Sequence, residues 1–516
     1  SNLQVVIGEK GHSDEHEWVN NVLWQMGCEE VVSVEPYGCE PTYDIEVESD
    51  PHNFLANGFA VHNTGKTTTL SMLATVAKGR GQYTAFNSSL VKESKAKFGG
   101  NIDCNTTHSL AFRQVGKKYA HRLGGRRVRS SEIAHILGVH DLPLGKKVLS
   151  AEYLASCVMQ AVKRFRQTAD PVITCKHFKY IDGIDVPTDG KRTYGNNEAV
   201  RVYLEPFAAK AWADISSEHG VLPFSHDDYV KVWQLNQPRI YTDYILLDEA
   251  QDTAEVFLDI LRQQKASLIL VGDSAQQIYE WRGAVNAMAS FPDAPRKYLS
   301  QSFRFGPAIA DIANRVLDTL EQPTQLRLKG LESIPSRIER LDEPTAVLCR
   351  TNASAVGTLL NALAKGKRPH LIGGGADVIA FVEAAQQLQR GQATSHPDLA
   401  CFSSWGEVQR YVKEDEGEDL KLMVKIIDGF RAEEILRALR SMVPEPQADL
   451  IISTAHKAKG REWDRVQLAS DFPARDRCDD ADRKLLYVAV TRAKLVLDVT
   501  QCPWFGDGRE DEFYAD

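Results

Sequence analysis

The sequence predicts an α/β fold, a two-part core of parallel sheets that carries mostly helical insertions and is preceded by a small β segment. Three features carry this expectation. Short apolar runs recur along the chain and each is followed at once by polar residues, a Gly-Lys-Thr sequence at residues 65–67 opens an amphipathic helix, and charge changes character near residue 63. Continuous apolar runs bounded by helical stretches read as parallel strands covered on both faces.

Taken in order, residues 43–47 (Tyr-Asp-Ile-Glu-Val) alternate as a strand and Asn57-Gly58 reads as a tight hairpin turn. Leu70, Leu73, Ala74 and Ala77 then fall on one face of a helix that begins at Thr64-Gly65-Lys66-Thr67-Thr68, with Gly79 as its C-terminal cap. Buried strands are expected at 83–86, 244–247, 268–271, 346–349, 450–452 and 495–499. Chemistry in such sheets gathers at the carboxyl ends of the strands. Those ends here read Asp248-Glu249, Gly272-Asp273, Arg350 and Ser453-Thr454. Between the strand groups, residues 113–235 and 377–446 read as mostly helical insertions.

Composition narrows the class. A chain of 516 residues suits roughly three to five domains of about 100–200 residues each. Hydrophobic residues make up 43% and charged residues 25%, which is ordinary globular usage. The sequence holds no apolar run of about 18 residues, so no membrane span or membrane partner is expected, and its start lacks a secretory pattern. Nine cysteines without a Cys-x-x-Cys pair exclude a disulfide scaffold and a zinc ribbon, and a reducing compartment is the simplest setting. The net charge of −9 argues against a nucleic-acid partner only until the chain is divided. Residues 1–63 hold twelve acids against Lys10 alone, a net of −11, which leaves +2 for residues 64–516. Within that part, residues 113–150 hold nine Lys/Arg and two acids, while residues 505–516 are net −4. Such asymmetry points to a chain assembled from unlike pieces. The first residue is Ser1 rather than methionine, in keeping with a fragment or a processed product.

The Gly-Lys-Thr sequence is the second half of a P-loop, G-x-x-x-x-G-K-[ST]. In such a loop Lys66 neutralises β/γ-phosphate charge, Thr67 ligates magnesium, and backbone N–H groups at the helix start cradle oxygens. The first glycine of the motif belongs at position 60, where the sequence has Ala60. Asp248 is placed to hold magnesium through water and Glu249 to polarise the attacking water. Catalysis on a γ-phosphate is mostly charge placement, which needs cations too. Arg304 and Arg492 are the candidates, because a guanidinium pairs with phosphate oxygens in a fixed orientation. His108, His226 and His456 have the wrong spacing for a metal cluster, so magnesium is the sole metal expected.

These blocks, with the run from Val271-Gly272-Asp273 through Gln276, Tyr279, Trp281, Arg282 and Gly283-Ala284, resemble the motif set of UvrD-like superfamily 1 DNA helicases. Ser453-Thr454-Ala455-His456-Lys457-Ala458-Lys459-Gly460-Arg461-Glu462-Trp463 is similar to that family's motif V. Phe224-Ser225-His226-Asp227-Asp228-Tyr229 and Gln301-Ser302-Phe303-Arg304-Phe305-Gly306 look nearest to the F-box DNA helicase branch, although no F-box is recognisable. The resemblance implies two RecA-like P-loop domains with ATP between them. It divides the chain into domain 1A (64–112 and 236–300), insertion 1B (113–235), domain 2A (301–376 and 447–504), insertion 2B (377–446) and an acidic tail (505–516). By position it implies that Thr64, Gly65, Lys66, Thr67, Thr68, Phe303 and Glu462 bind ATP, with Phe303 stacking on adenine where many relatives have a tyrosine. Gln276 would sense the γ-phosphate. Phe86, Thr107, His108, Tyr279, Trp281, Arg282, Thr454 and His456 would line a single-strand path, where aromatic stacking at about 1–3 kcal/mol per base gives a sequence-tolerant grip. Core packing is the competing reading for Phe86; Lys/Arg clusters in the basic stretch at 113–150 suit duplex or single-strand phosphates, with a solvated loop as the competing reading for Arg126-Arg127-Val128-Arg129. After Arg492 too few residues remain for a further catalytic domain.

The acidic first segment has its own resemblance. Residues 50–63, from Asp50-Pro51-His52 to Val61-His62-Asn63, resemble the C-terminal splicing motifs of an intein and end directly before the hydroxyl of Thr64. In that chemistry Asn63 cyclises onto its own peptide carbonyl, His62 polarises the bond, His52 carries protons, and Thr64 is the nucleophile that first accepts the upstream chain. The junction falls inside the P-loop, where Ala60 breaks the motif. The implied partner is an upstream polypeptide that carries the N-terminal intein half and the missing loop glycines.

The leading expectation is thus an ATP- and magnesium-dependent helicase or translocase on single-stranded or partly duplex DNA, moving 3′-to-5′ by resemblance and completed by protein splicing. Two alternatives stay open: a self-processing trans-splicing precursor without motor activity as it stands, and a DNA-binding module with a degenerate ATP site. The setting is cytoplasmic for a prokaryotic or phage protein and nuclear for a eukaryotic one.

Overall fold

The computed structural model describes residues 3–8, 54–56, 59–61 and 66–506, apart from 86–87, 126–127, 145–146, 182–183, 186–194, 281–282, 323–325, 395, 397, 400–401, 403 and 414–417. The chain divides into two compact units, one built on residues 66–298 and the other on 299–516. Each is a twisted sheet with helices around it.

In the first unit the apolar runs form strands as expected. These are β2 (Gly81–Ala85), β3 (Ile102–Thr106), β4 (Tyr244–Leu247) and β5 (Ser267–Gly272), with β1 (Leu3–Gly8) and β6 (Arg296–Leu299) completing the sheet. The strand order is β6-β1-β5-β4-β2-β3. β5 pairs parallel with β4, β4 with β2, and β2 with β3. β1 pairs antiparallel with β5. Residues 54–56 and 59–61 pair in a separate two-stranded sheet; the Asn57-Gly58 turn expected between them lies outside the described residues. The strand read at 43–47 lies outside the described residues.

Helix α1 (Lys66–Val76) buries Leu70, Leu73 and Ala74, as its spacing predicts. Gly79 is not its cap. The helix ends three residues earlier, and Gly79 takes a positive φ of 94° in the turn that follows, where an added Cβ would lie 2.2 Å from an Asp243 carboxylate oxygen. The glycine therefore serves a close approach between chain segments.

The first insertion is mostly helical, with helices at Ala151–Phe165, Gly195–Ser216 and His226–Leu235 enclosing a core that includes Leu154, Phe165, Leu204 and Trp233. Part of its basic stretch is structural. Arg122 is buried and donates to the carbonyls of Ile215 (2.7 Å) and Leu222 (2.8 Å), around the end of the long helix where backbone acceptors lack partners. Arg126 and Arg127 lie outside the described residues.

The block at 224–229 also has a folding role. Ser225 and Asp228 form a capping box on the helix His226–Leu235. The fully buried Asp228 carboxylate accepts from Arg166 Nη1 at 2.8 Å. Removing one member of a buried pair strands the other charge. Asp228→Ala is therefore expected to destabilise the first unit by about 3–5 kcal/mol, seen as a lower urea midpoint; an unchanged midpoint contradicts this role.

The second unit holds β7 (Arg337–Ile338), β8 (Ala346–Cys349), β9 (Pro369–Leu371), β10 (Leu450–Thr454), β11 (Trp463–Leu468) and β12 (Ala493–Asp498) in the order β7-β12-β11-β8-β10-β9. All five neighbouring pairs are parallel. Helices at Ala376–Gln389, Trp405–Lys413, Glu418–Gly429 and Ala432–Arg440 make the second insertion. Among the described residues no helix is long and apolar enough to cross a membrane. Two described non-glycine residues have left-handed backbones, Gln237 (φ 49°) and Glu249 (φ 50°).

Candidate nucleotide site

In the first unit, α1 and the carboxyl end of β4 bring four of the expected residues together. Asp248 is 2% exposed. Its Oδ2 accepts from Thr67 Oγ1 and from the Tyr83 hydroxyl, each at 2.9 Å, and its Oδ1 accepts from the Glu249 amide at 2.9 Å. Lys66, buried at the first turn of α1, forms an ion pair with Glu249 Oε1. The left-handed backbone of Glu249, which costs a non-glycine residue roughly 1–2 kcal/mol, turns its carboxylate toward that lysine.

The electrostatics follow from burial and neighbours. Burial pulls the Lys66 ammonium down, but Glu249, Asp248 and Asp273 outweigh it, so its pKa lies above the ordinary lysine value and the charge is held. Burial, then the Glu249 charge, push the Asp248 carboxyl up against the pull of Lys66 and its two hydroxyl donors. Burial and the Asp248 charge likewise raise the Tyr83 phenol, which stays a proton donor. Thr67 and Asp248 present hydroxyl and carboxylate oxygens side by side, a donor set that fits a hard cation such as magnesium.

Beyond this pair runs a chain of hydrogen bonds. Gln251 Nε2 donates to Glu249 Oε2 at 2.6 Å, the Asp273 amide donates to Gln251 Oε1 at 2.9 Å, and Gln276 Nε2 donates to Asp273 Oδ2 at 2.7 Å. Gly272 permits this approach, since a Cβ there would sit 2.5 Å from Gln251 Oε1. The expected γ-phosphate sensor, Gln276, is thereby tied to the expected hydrolytic carboxylate through two residues that the motif reading left without a role. Tyr83 was missed as well. Its signal was a phenol inside an apolar strand, since a buried hydroxyl requires a partner. Tyr83→Phe is expected to raise the magnesium concentration needed for half-maximal hydrolysis about 10–100-fold, with little change at saturating magnesium. A change confined to kcat would contradict this positioning.

The second unit assembles its own cluster. Arg304 Nε donates to Glu462 Oε2 at 2.7 Å and Arg304 Nη1 to the Thr491 carbonyl at 3.1 Å. Arg492 Nη2 donates to Thr491 Oγ1 at 2.8 Å and its Nε to the Val488 carbonyl at 2.8 Å. Both arginines are buried, and Phe303 is half-buried beside Arg304 in sequence. Glu462, expected at the nucleotide sugar, is here the partner of Arg304.

The residues expected along a DNA strand are more scattered. Thr107 and His108 begin a helix, Thr107–Gln114, and His108 Nε2 lies 3.0 Å from Asp227 Oδ1. Tyr279 and His456 are half-buried. Thr454 is buried and its hydroxyl caps the following helix by accepting from the Lys457 amide at 3.4 Å. Phe86, Trp281, Arg282, Thr64, Gly65, His52, His62 and Asn63 lie outside the described residues, as does the side chain of Thr68.

Comparison with known proteins bears on these clusters directly. Residues 228–292 match the UvrD/REP helicase N-terminal domain, and residues 449–497 match the UvrD-like helicase C-terminal domain. The chain carries UvrD-like helicase domains. The first match takes in Asp248, Glu249, Gln251 and Gln276, and the second takes in Glu462 and Arg492. Among relatives, the helicase domains are similar to F-box DNA helicase protein 1 of Schizosaccharomyces pombe (strain 972 / ATCC 24843), 30% identical over 512 residues, covering 88% of this chain and 56% of that protein. F-box DNA helicase 1 of Gallus gallus is 29% identical over 488 residues, covering 86% of this chain and 47% of that protein. The ATP-dependent DNA helicase UvrD2 of Mycobacterium tuberculosis (strain ATCC 25618 / H37Rv) is 25% identical over 327 residues, covering 49% of this chain and 46% of that protein. The chain thus spans about half the length of the curated relatives it matches.

Proposed function

We propose that this chain is the larger part of an ATP-driven motor on single-stranded DNA, running 3′-to-5′, whose phosphate loop is completed by protein splicing at the Asn63–Thr64 bond. The observation that carries the motor reading is the convergence of Lys66, Thr67, Asp248 and Glu249 at the carboxyl end of one parallel strand. Lys66 supplies a held positive charge for a β/γ-phosphate, and Thr67 and Asp248 are the oxygens that would hold magnesium. The metal, when bound, offsets phosphate charge. Glu249 is the acceptor for the proton of an attacking water, and Arg304 and Arg492 are the cations for charge that develops on the γ-phosphoryl group.

The splicing half of the reading is supported by sequence at residues 50–63 and by Ala60 at the first glycine of the loop. The test compares residues 1–516 alone with the same chain after reaction with a complementary N-terminal intein half that carries a glycine-rich loop. ATP hydrolysis and strand separation are expected only after ligation, and Asn63→Ala abolishes the mass change at the junction. Lys66→Ala in the ligated protein removes both activities. Normal hydrolysis by the unligated chain contradicts the interrupted loop, while retained strand separation in Lys66→Ala contradicts the motor.

A further inference from the structure

In the first sheet β1 pairs antiparallel with β5. α1 is followed by β2, which is parallel to β4, and β4 is parallel to β5. In a strand–helix–strand crossover the strand that feeds α1 also runs parallel to β2. It enters the helix at the carboxyl edge, where Asp248 and Asp273 stand. No described strand does this. The nearest upstream strands, at 54–56 and 59–61, pair in a sheet of their own. The position between β5 and β6 is taken instead by β1, with Gln4 opposite Gly272 and Gly8 opposite Leu268. β1 therefore leaves the sheet at its amino edge, four residues or roughly 13 Å from the Asp273 end at about 3.3 Å per residue. Its downstream end is thus at the edge opposite the one where Asp248 and Asp273 stand. The second sheet, with five parallel pairs, has no such reversal among its described strands.

We infer that the position between β5 and β6 is a docking slot for one strand of a second polypeptide, and that β1 is its interim occupant. The incoming strand runs parallel to β5 and continues into the glycine-rich loop that meets Thr64. This rests on the splicing reading and adds where the partner's last residues before the loop are held. Leu268–Gly272 are buried along β5, so a strand beside them is covered on both faces and must be apolar and β-branched over about five residues. β1, with Val5-Val6-Ile7 at its centre, has that composition. An antiparallel occupant satisfies the same row of backbone N–H and C=O groups that an open slot would leave unpaired. Exchange thus trades one set of backbone hydrogen bonds for another. Tethering by the associated intein halves, at an effective concentration of order millimolar, favours the incoming strand.

The test uses the full 516-residue chain. Val5→Cys with Val271→Cys places two thiols on directly opposed positions, within reach of a disulfide. Mild oxidation is expected to join them, whereas either single variant gives no such link. The probe is a synthetic peptide of two lysines, five valine or isoleucine residues and a Gly-Ala-Ala-Gly end, added in excess before oxidation. The 5–271 link is then expected to fall to the level of the single-variant controls. Hydrogen exchange on the unsubstituted chain guards against a folding defect: the peptide should strip protection from amides 3–8 and leave it on 268–272. A link that never forms, or one that persists with full protection of amides 3–8 at excess peptide, overturns the slot. Splicing is read separately, as the mass change at the 63/64 bond. Failure there with intact strand exchange removes the splicing reading and leaves the slot standing.

Discussion

Glu249→Gln in the ligated protein is expected to lower kcat for ATP hydrolysis about 10²–10⁴-fold while ATP binding is kept. The expectation comes from geometry. Glu249 stands at the carboxyl end of β4 in ion-pair contact with Lys66, and its second oxygen accepts from Gln251. Glutamine keeps the size and one acceptor but cannot take a proton from water. Single-turnover hydrolysis read beside equilibrium binding of a fluorescent ATP analogue separates the two effects. Loss of binding with unchanged hydrolysis of the bound fraction would assign Glu249 to holding Lys66 alone.

Arg304→Ala is expected to have the next largest effect, a drop in hydrolysis of about 10³–10⁵-fold. Arg304 is buried against Glu462 and the Thr491 carbonyl, so its loss also removes an ion-pair partner of a carboxylate that is 23% exposed. Structural damage and lost charge must therefore be told apart. Glu462→Gln weakens the same contact but keeps the guanidinium. A motor arginine predicts a Glu462→Gln variant with a lower Tm and most of its hydrolysis, beside an Arg304→Ala variant with neither. Equal losses of hydrolysis in the two variants, tracking Tm, would make Arg304 a structural residue.

Much of the core was legible in the sequence, and for a clear physical reason. A strand buried on both faces must be apolar throughout, so Tyr244–Leu247 and Ala346–Cys349 announce themselves with their full extents. Chemistry at the carboxyl ends of parallel strands then draws attention to Asp248 and Glu249. What stayed hidden were the contacts made by residues that also suit another role. Tyr83 reads as one more strand residue, Gln251 as part of an acidic block, and Arg122 as one of several surface cations, because a partner far along the chain leaves no periodic trace. The place of Gly79 was misread because glycine marks both helix caps and close approaches, and only the Asp243 contact distinguishes them here. The reversal of β1 was illegible for a related cause: an apolar hexapeptide pairs equally well in either direction, and direction is set by what the chain must reach next.

The two left-handed residues separate inherited strain from strain in use. At Gln237, just past the end of a helix, the side chain has no bearing on the phosphate cluster, and glycine would relax the backbone at no cost to chemistry. At Glu249 the same replacement would relax the backbone equally, yet it would take from the buried Lys66 ammonium its ion-pair partner and remove the proton acceptor. A heat-resistance screen over this chain should therefore accept glycine at the first position and reject it at the second, without ever assaying turnover.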